Sequence, residues 1–426
     1  GNIQIGSNRT GWECVGSIAD EKNDVLYSFI AHAGTGRDAI IEYAKDGTET
    51  LVFVDMDNGV LNFEQGEIIT GINVIDGLLL WTDGKNEPKK INIQRCKEGT
   101  TAFNVHTKLV VNNSIVVDAS NTQVDIREEH ITVIKKNPAK SLTVSITSAN
   151  SDTKAPLFEK IFPRFSYRYR YEDGEYSTYA PFTDVVFNSE YAETEDINGS
   201  TVFYNHETIY STLEPYNAAM RNWIKEIDLY DFIAPDMPED VVGIDILYKQ
   251  ENSPTIYILE VLHSHDSEWI QNSIDPASGY KGKFKVKSEN IYAALPENQT
   301  LRPWDNVPKR ALAQEVTGNR IVYGNYTQSY DLFAQDGSLI SPKSVVGIED
   351  RYSTADFSNG GLRSIKSQRD YQLGVAYGDK YGRETPVFTH ADTSVINAWK
   401  DQNNNSLNAQ KSTSLFSYIE TEHPDW

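Results

Sequence analysis

Residues Arg164–Thr183 read RFSYRYRYEDGEYSTYAPFT. The segment is rich in aromatic residues, and their spacing decides its meaning. Phe165, Tyr167, Tyr169 and Tyr171 fall at alternate positions, the period of a β-strand, in which successive side chains face opposite ways. One face is therefore all aromatic, and Ser166, Arg168 and Arg170 take the other. Asp173-Gly174 reads as a turn, with a second strand running on from Tyr176. A ligand-stacking platform or a nucleic-acid grip would not need strict alternation. Packing of one sheet on another does need it. The expectation is a buried aromatic face, with Arg168 and Arg170 pointing outward.

The same grammar of short strands and turns runs through the chain. DVLYSFIAHA (24–33), DAIIEYAKDG (38–47) and ETLVFVDMDNG (49–59) are runs of β-formers bounded by Gly, Asp or Asn. ITGINVIDGLLLWTDGKNEPKKINIQR (69–95) continues the series, with a hairpin turn at Asp76-Gly77 and a buried strand at Leu78–Trp81. VVGIDILYKQ (241–250) and TIYILEVLHS (255–264) read as a hairpin, PENQTLRPWDNVPKR (296–310) as a crossing connection, and AQEVTGNRIVYGNYTQSYD (313–331) as strand, turn, strand. NSEYAETEDINGS (188–200) reads as a polar loop. In NAAMRNWIKEI (217–227), Ala219, Met220, Trp223, Ile224 and Ile227 take helical spacing, and a short helix is expected there. Strands should outnumber helical residues at least three to one.

Two weak internal repeats stand out. RDYQLGVAYGDKYGRETPVFT (369–389) echoes the opening stretch, with Tyr377, Asp379, Gly382, Pro386 and Thr389 set against Tyr171, Asp173, Gly174, Pro181 and Thr183 across small gaps. Both suggest the last hairpin of a fibronectin-III-like sandwich. INVIDGLLLW and QEVTGNRIVY share a second, blade-like pattern.

The totals bound the function. A chain of 426 residues holds two to four domains. Its 39 basic residues stand against 61 acidic ones, a net charge of −22, which argues against a general nucleic-acid binder. No apolar run approaches the ~18 residues of a membrane helix, and no signal peptide opens the chain. The start at Gly1 and the end at His-Pro-Asp-Trp suggest a piece of something longer. Two cysteines, Cys14 and Cys96, make no disulfide scaffold and no zinc ribbon.

Motifs that carry chemistry fail on inspection. VDMDNGVLNFE (54–64) misses calcium-loop spacing, because the glycine and glutamate both come early, and reads as an Asx-rich β-turn. His263 and His265 in HSHD share a strand face but show no third ligand, and read as surface residues. AGTGRDA (33–39) opens no helix and cannot cradle phosphate. KDGTETL (45–51) and AQDGSLISP (334–342) are ordinary Asp-Gly turns. Asn198, Asn298 and Asn325 match a glycosylation pattern that has meaning only on a secretory route. No catalytic, cofactor-binding or metal residue is assigned, no cofactor is expected, and the chain reads as a non-enzyme.

Three segments resemble structural tail proteins of short-tailed bacteriophages: 69–95, 164–183 and RPWDNVPKRALAQEVTGNRIVYGNYTQSYD (302–331). The likeness is nearest to the tail muzzle or nozzle proteins of crAss-like phages and spans about residues 60–400. It implies an all-β chain of β-propeller-like blades with inserted immunoglobulin or fibronectin-III-like sandwiches. The implied layout is blades over 1–127, a sandwich region over 128–295, further blade strands over 296–368 and a sandwich-like return over 369–426. It also implies a homo-oligomeric ring, a hexamer, beside neighbouring tail or ring proteins and closing the DNA exit channel. The protein would lie in the virion after assembly in the host cytoplasm, with genomic DNA passing and no specific binding. Two other readings stand beside it. One is a secreted or surface β-propeller with fibronectin-like modules that binds or cleaves glycans, which wants a carboxylate pair in a cleft and exposed Trp platforms where Trp81 sits in a buried pattern. The other is a host-binding adhesin at the tail tip.

Overall fold

The computed structural model describes residues 9–33, 37–56, 59–149, 155–188, 222–251, 253–289, 293–301, 306–318, 320–334, 336–353, 369–379, 383–389 and 410–420, and the backbone of strands 191–193, 202–204 and 394–397. Strands account for 46% and helices for 6%, so the chain is all-β; no closed barrel or propeller is detected among the described residues.

The first unit opens with an antiparallel meander in chain order, β1 (Trp12–Asp20), β2 (Val25–His32), β3 (Asp38–Ala44) and β4 (Glu49–Asp55). The last three are the strands expected from the sequence. β1 escapes a period-two reading because its pairing with β2 shifts between Cys14 and Gly16, and a bulge breaks alternation. A second meander follows: β5 (Gly71–Ile75), β6 (Leu78–Thr82) and β7 (Lys89–Asn92). Its first turn holds Asp76 and Gly77 at φ 46° and 82°, as a two-residue primed turn requires. Helix α1 (Ile93–Gly99) comes next, capped by the Asn92 side chain accepting from the Arg95 N–H at 3.0 Å. The small hairpin β8 (Val110–Val111) and β9 (Ser114–Ile115) and helix α2 (Glu128–Ile131) complete the unit. Its core gathers Phe29, Phe53, Phe63, Leu79, Trp81 and Ile91. Trp81 is buried, edge-on to Phe29 at 5.6 Å.

The second unit is two sheets facing each other. The chain adds β10 (Thr143–Ser148), β11 (Pro163–Tyr171), the short pair β12 (Tyr191–Glu193) and β13 (Val202–Tyr204), then β14 (Ile224–Ile233), β15 (Val241–Gln250), β16 (Ile256–His263), β17 (Lys281–Val286) and β18 (Ala293–Ala294). One sheet has the order β10-β14-β17, the other β11-β15-β16-β18. Phe165, Tyr167, Tyr169 and Tyr171 are at most 2% exposed, and they pack with Ile227, Leu229 and Phe232 of β14 and Val286 of β17. The aromatic alternation is therefore the seam between the sheets.

Three expectations are overturned here. The helix over 217–227 is not formed where it is described: residues from Ile224 onward are strand, and 217–221 lie outside the described residues. The reason is a register shift in which Ser148 pairs with Ile224 and Thr147 with Glu226. The extra residue, Lys225, puts Ile224 and Ile227 both inward, three apart, and so imitates helical spacing. Arg168 does not point to solvent; it is 1% exposed on the side-chain surface and paired with Asp245. The segment after Tyr176 is not a ladder strand. Ser177, Ala180, Thr183 and Val186 donate their N–H groups to Tyr169, Tyr167, Phe165 and Pro163, advancing three residues for every two of β11. That rhythm belongs to a three-fold extended chain, not a pleated strand.

The hairpin repeat survives with a different alignment. The pairs Tyr167–Ala180, Tyr169–Ser177 and Tyr171–Glu175 recur as Val375–Phe388, Tyr377–Thr385 and Asp379–Arg383. Every partner lies 208 residues further on, with no gap. The hydroxyls repeat too. Ser177 Oγ accepts from the Tyr169 N–H at 3.0 Å and donates to Thr178 O; Thr385 Oγ1 accepts from the Tyr377 N–H at 3.0 Å and donates to Pro386 O. The sequence alignment pairing Tyr171 with Tyr377 was thus two residues out of register. The remaining strands are the hairpin β19 (Arg310–Thr317) and β20 (Arg320–Thr327), then β21 (Lys343–Ser353) paired with β24 (Gln410–Glu420), and β22 (Arg369–Gln372) paired with β23 (Ser394–Asn397). β19 lies on the second meander, where Thr82 Oγ1 donates to Ala311 O at 2.6 Å. A Cβ at Gly71 would stand 2.9 Å from Gln314 N, so only glycine admits that approach.

Candidate functional site

The densest meeting of charged groups is the joint between the two units. It begins with the segment Glu87–Arg95, which holds β7 and the start of α1. Lys90, 6% exposed along its side chain, reaches Glu175 at 2.5 Å and Asp173 at 3.5 Å, and Arg95 pairs with the same Asp173. Both acids sit on the turn after β11, where Gly174 takes φ 79° and lets the chain reverse tightly enough to present them. Glu172 Oε1 accepts from the Asn112 N–H at 3.1 Å. The opening stretch of sequence therefore has a second use. Its strand packs the sheets, and its turn docks the second unit onto the first.

A second row of contacts runs beside it. Arg127 bridges Glu129 at 2.7 Å and Glu239 at 2.5 Å, Lys135 meets Asp240 at 3.2 Å, and Lys136 meets Asp236 at 2.8 Å. The Tyr171 hydroxyl, at the end of the aromatic face, donates to Lys136 O. A small cleft between the units is lined by Lys90, Arg95, His130, Asp173 and Asp240 over an apolar floor that includes Ile91 and Cys96. Burial pushes the Cys96 thiol up to about 12, so it is protonated and inert at neutral pH.

Glu129, His130 and Glu239 bring three potential metal-ligand atoms within 4.8 Å of one another. The hydrogen bonding argues for a structural role. His130 Nδ1 accepts from the Arg127 N–H at 3.0 Å, which leaves Nε2 to carry the proton toward Glu239 at 3.4 Å. The Arg127 guanidinium already stands between both carboxylates. Burial would raise the Glu239 carboxyl, but hydrogen bonds from His130 and Arg127 outweigh it and bring it down to about 2.

Inside the first unit a buried polar cluster pins the loop that follows β4. Asp55 accepts from the Val60 and Leu61 N–H groups at 2.9 and 2.8 Å, and Asp38 from the Phe63 N–H at 2.8 Å. Lys89, 1% exposed, donates to Val60 O and to Leu61 O, the latter at 3.1 Å. Residues 57 and 58 of the Asx-rich β-turn expected for 54–64 lie outside the described residues, and Asp55 accepts five and six residues on, not two, while an ammonium takes the loop carbonyls. Burial holds the Lys89 ammonium below its ordinary range.

The remaining sequence candidates fall apart from one another. His263 and His265 stack at 5.6 Å, with His265 82% exposed along its side chain. Asp46 and Asp336 cap their own turns through the Thr48 and Ser338 N–H groups. Gly34–Gly36 of the 33–39 segment, Asn198, Glu190, Glu195 and Asp196 lie outside the described residues. The joint was missed because its residues are scattered over 87–95, 127–136, 172–175 and 236–240. The one sequence signal that pointed to it was the opposition of EDGE and KK in two quoted segments. No protein-family model and no curated protein matches the chain.

Proposed function

We propose that the chain is a structural component of a bacteriophage tail, of the muzzle or nozzle kind. Its copies form a ring, a hexamer, that closes and conducts the DNA exit channel in contact with neighbouring tail or ring proteins. The protein belongs to the virion and is assembled in the host cytoplasm. What supports this reading beyond the resemblance is the joint: two β-units locked by paired charges between segment 87–95 and the turn after β11. That arrangement suits a part that must keep its shape under load. The four-stranded meander β1–β4 is read as a propeller-like blade, and the two facing sheets as a fibronectin-III-like insertion. No described helix is long and apolar enough to cross a membrane.

Genomic DNA passes such a channel without specific binding. Each Lys or Arg that reached a phosphate would add salt-dependent affinity and hold the duplex. The test is the complete gene product at micromolar concentration, by light scattering and negative-stain microscopy, followed by gel-shift titration with duplex DNA at ~0.15 M salt. Rings with a central opening and no shift are expected. A monomer, or binding tighter than about 1 μM, refutes the reading.

A further inference from the structure

The gap-free repeat puts Arg383 at the position of Glu175, so the two docking side chains carry opposite charges. Glu175 meets Lys90 at 2.5 Å. Arg383 meets Glu87, three residues earlier in the same segment, and its guanidinium stands 5.3 Å from the Tyr330 ring. Both contacts are shielded: the Glu87 and Arg383 side chains are 14% and 16% exposed, Lys90 and Glu175 6% and 34%. Asp379, beside Arg383, pairs with it and turns the guanidinium back onto its own hairpin.

We infer that segment Glu87–Arg95 is a charge-coded double seat that sorts two copies of one hairpin, taking an acidic tip at Lys90 and Arg95 and a tip that presents an arginine at Glu87. The two tips share their backbone hydrogen bonding and their turn-side hydroxyl, so shape alone separates them poorly. Charge separates them well. With the tips exchanged, Glu175 would face Glu87 and Arg383 would face Lys90, like against like in shielded surroundings, and Arg95 would lose Asp173, whose place in the second copy falls on a tyrosine. Specificity of this kind comes from penalising the wrong partner as much as from rewarding the right one. Proline at 88, between the seats, fixes φ and helps hold Glu87 and Lys90 apart. The partner that fits each seat is thus a β-hairpin tip of stated charge, supplied by this chain itself. The inference stands apart from the tail reading, since it concerns only how the chain's own modules find their places.

Hydrogen–deuterium exchange on the full chain tests it, read at the Asp379, Thr385 and Phe388 amides of the second hairpin and the Tyr171, Ser177 and Ala180 amides of the first. Glu87→Lys and Arg383→Glu are each expected to speed exchange in the second hairpin by on the order of tenfold. The first hairpin should stay unchanged. The double variant Glu87→Lys/Arg383→Glu should return the second hairpin to within about threefold of wild type. Glu87→Gln, which removes charge without reversing it, should give a smaller loss in the same direction. Glu175→Arg should open the first hairpin, and Lys90→Glu, with Arg95 kept for Asp173, should close it again. Single reversals without effect, or reversals that no partner change rescues, would overturn charge sorting and leave shape as the determinant. A rise in both hairpins together from one seat variant would overturn the two-seat assignment.

Discussion

Asp245→Ala tests whether the face of β11 opposite the aromatics is truly closed. Arg168 and Asp245 are directly opposed in the β11–β15 ladder, and each side chain is 1% exposed. Arg168 Nε donates to Asp245 Oδ2 at 2.8 Å, Nη2 reaches Gln299 Oε1 at 3.1 Å, and the guanidinium lies 3.9 Å from the Tyr176 ring. Removing the carboxylate leaves a buried cation with one hydrogen-bond acceptor and a ring. Breaking such a pair costs about 3–5 kcal/mol, and the ring returns roughly 1 kcal/mol of that. Asp245→Ala should therefore destabilise the second unit by about 3 kcal/mol. Arg168→Met should lose less, since Arg170 lies 3.6 Å from the other carboxylate oxygen and is 33% exposed. The double variant Arg168→Met/Asp245→Leu should recover to within ~1.5 kcal/mol of wild type, because Leu247, Ile256 and Leu295 form an apolar cluster nearby. Urea titration followed by exchange at β11 and β15 amides reads the second unit rather than a blend of units. A loss below ~1 kcal/mol for Asp245→Ala would mean that water reaches the guanidinium, and the closed-face argument would fail.

Two further outcomes follow from burial. Tyr169→Ala, at a position 1% exposed, should cost about 3–5 kcal/mol in the same assay, as large aromatic truncations in cores do; a change under ~0.5 kcal/mol would show an open face. Asp38 is raised from 3.8 to about 7, by burial first and by Asp55 directly opposite it, against the Phe63 N–H and Lys89. A carboxyl raised by the fold contributes most below its unfolded value and loses that contribution as pH rises through the folded one. The first unit should thus weaken from pH ~4 to pH ~7 relative to an Asp38→Asn variant; urea midpoints for both chains that run parallel across that window would refute it.

Much of the fold was legible because alternation and turn chemistry are local. Phe165–Tyr171 announced a buried sheet face, and Asp76-Gly77 its own primed turn. The errors in strand assignment share one physical origin, a break in the period. The residues that shift register, Val15 in β1 and Lys225 in β14, each hid or disguised a strand. The three-residue rhythm of Ser177, Ala180, Thr183 and Val186 was present in the sequence, but it has no place in a choice between periods of two and 3.6. Arg168 was misplaced for another reason. Whether the second face of a strand is covered depends on Tyr176 and Gln299, which no local pattern ties to it. The joint was least legible, since its ion pairs join segments far apart in the chain, which no local pattern connects.

The burial of cations bears on the charge of the whole molecule. Lys89, Lys90, Lys135 and Arg168 are all buried, and Arg95, Arg127 and Arg383 are tied to carboxylates at the joint and its second seat. These are the residues a phosphate-gripping face would draw on, and they are committed to holding modules together. The acidic excess of 61 against 39 then falls on the remaining surface, where each internal pairing has removed one cation and one anion from the balance. Neutral pairing of this kind leaves the acidic excess whole, and a surface that carries it repels polyanions at short range and needs no dedicated acidic lining. In the proposed channel, cations committed to such ion pairs would not be free to hold the DNA that passes.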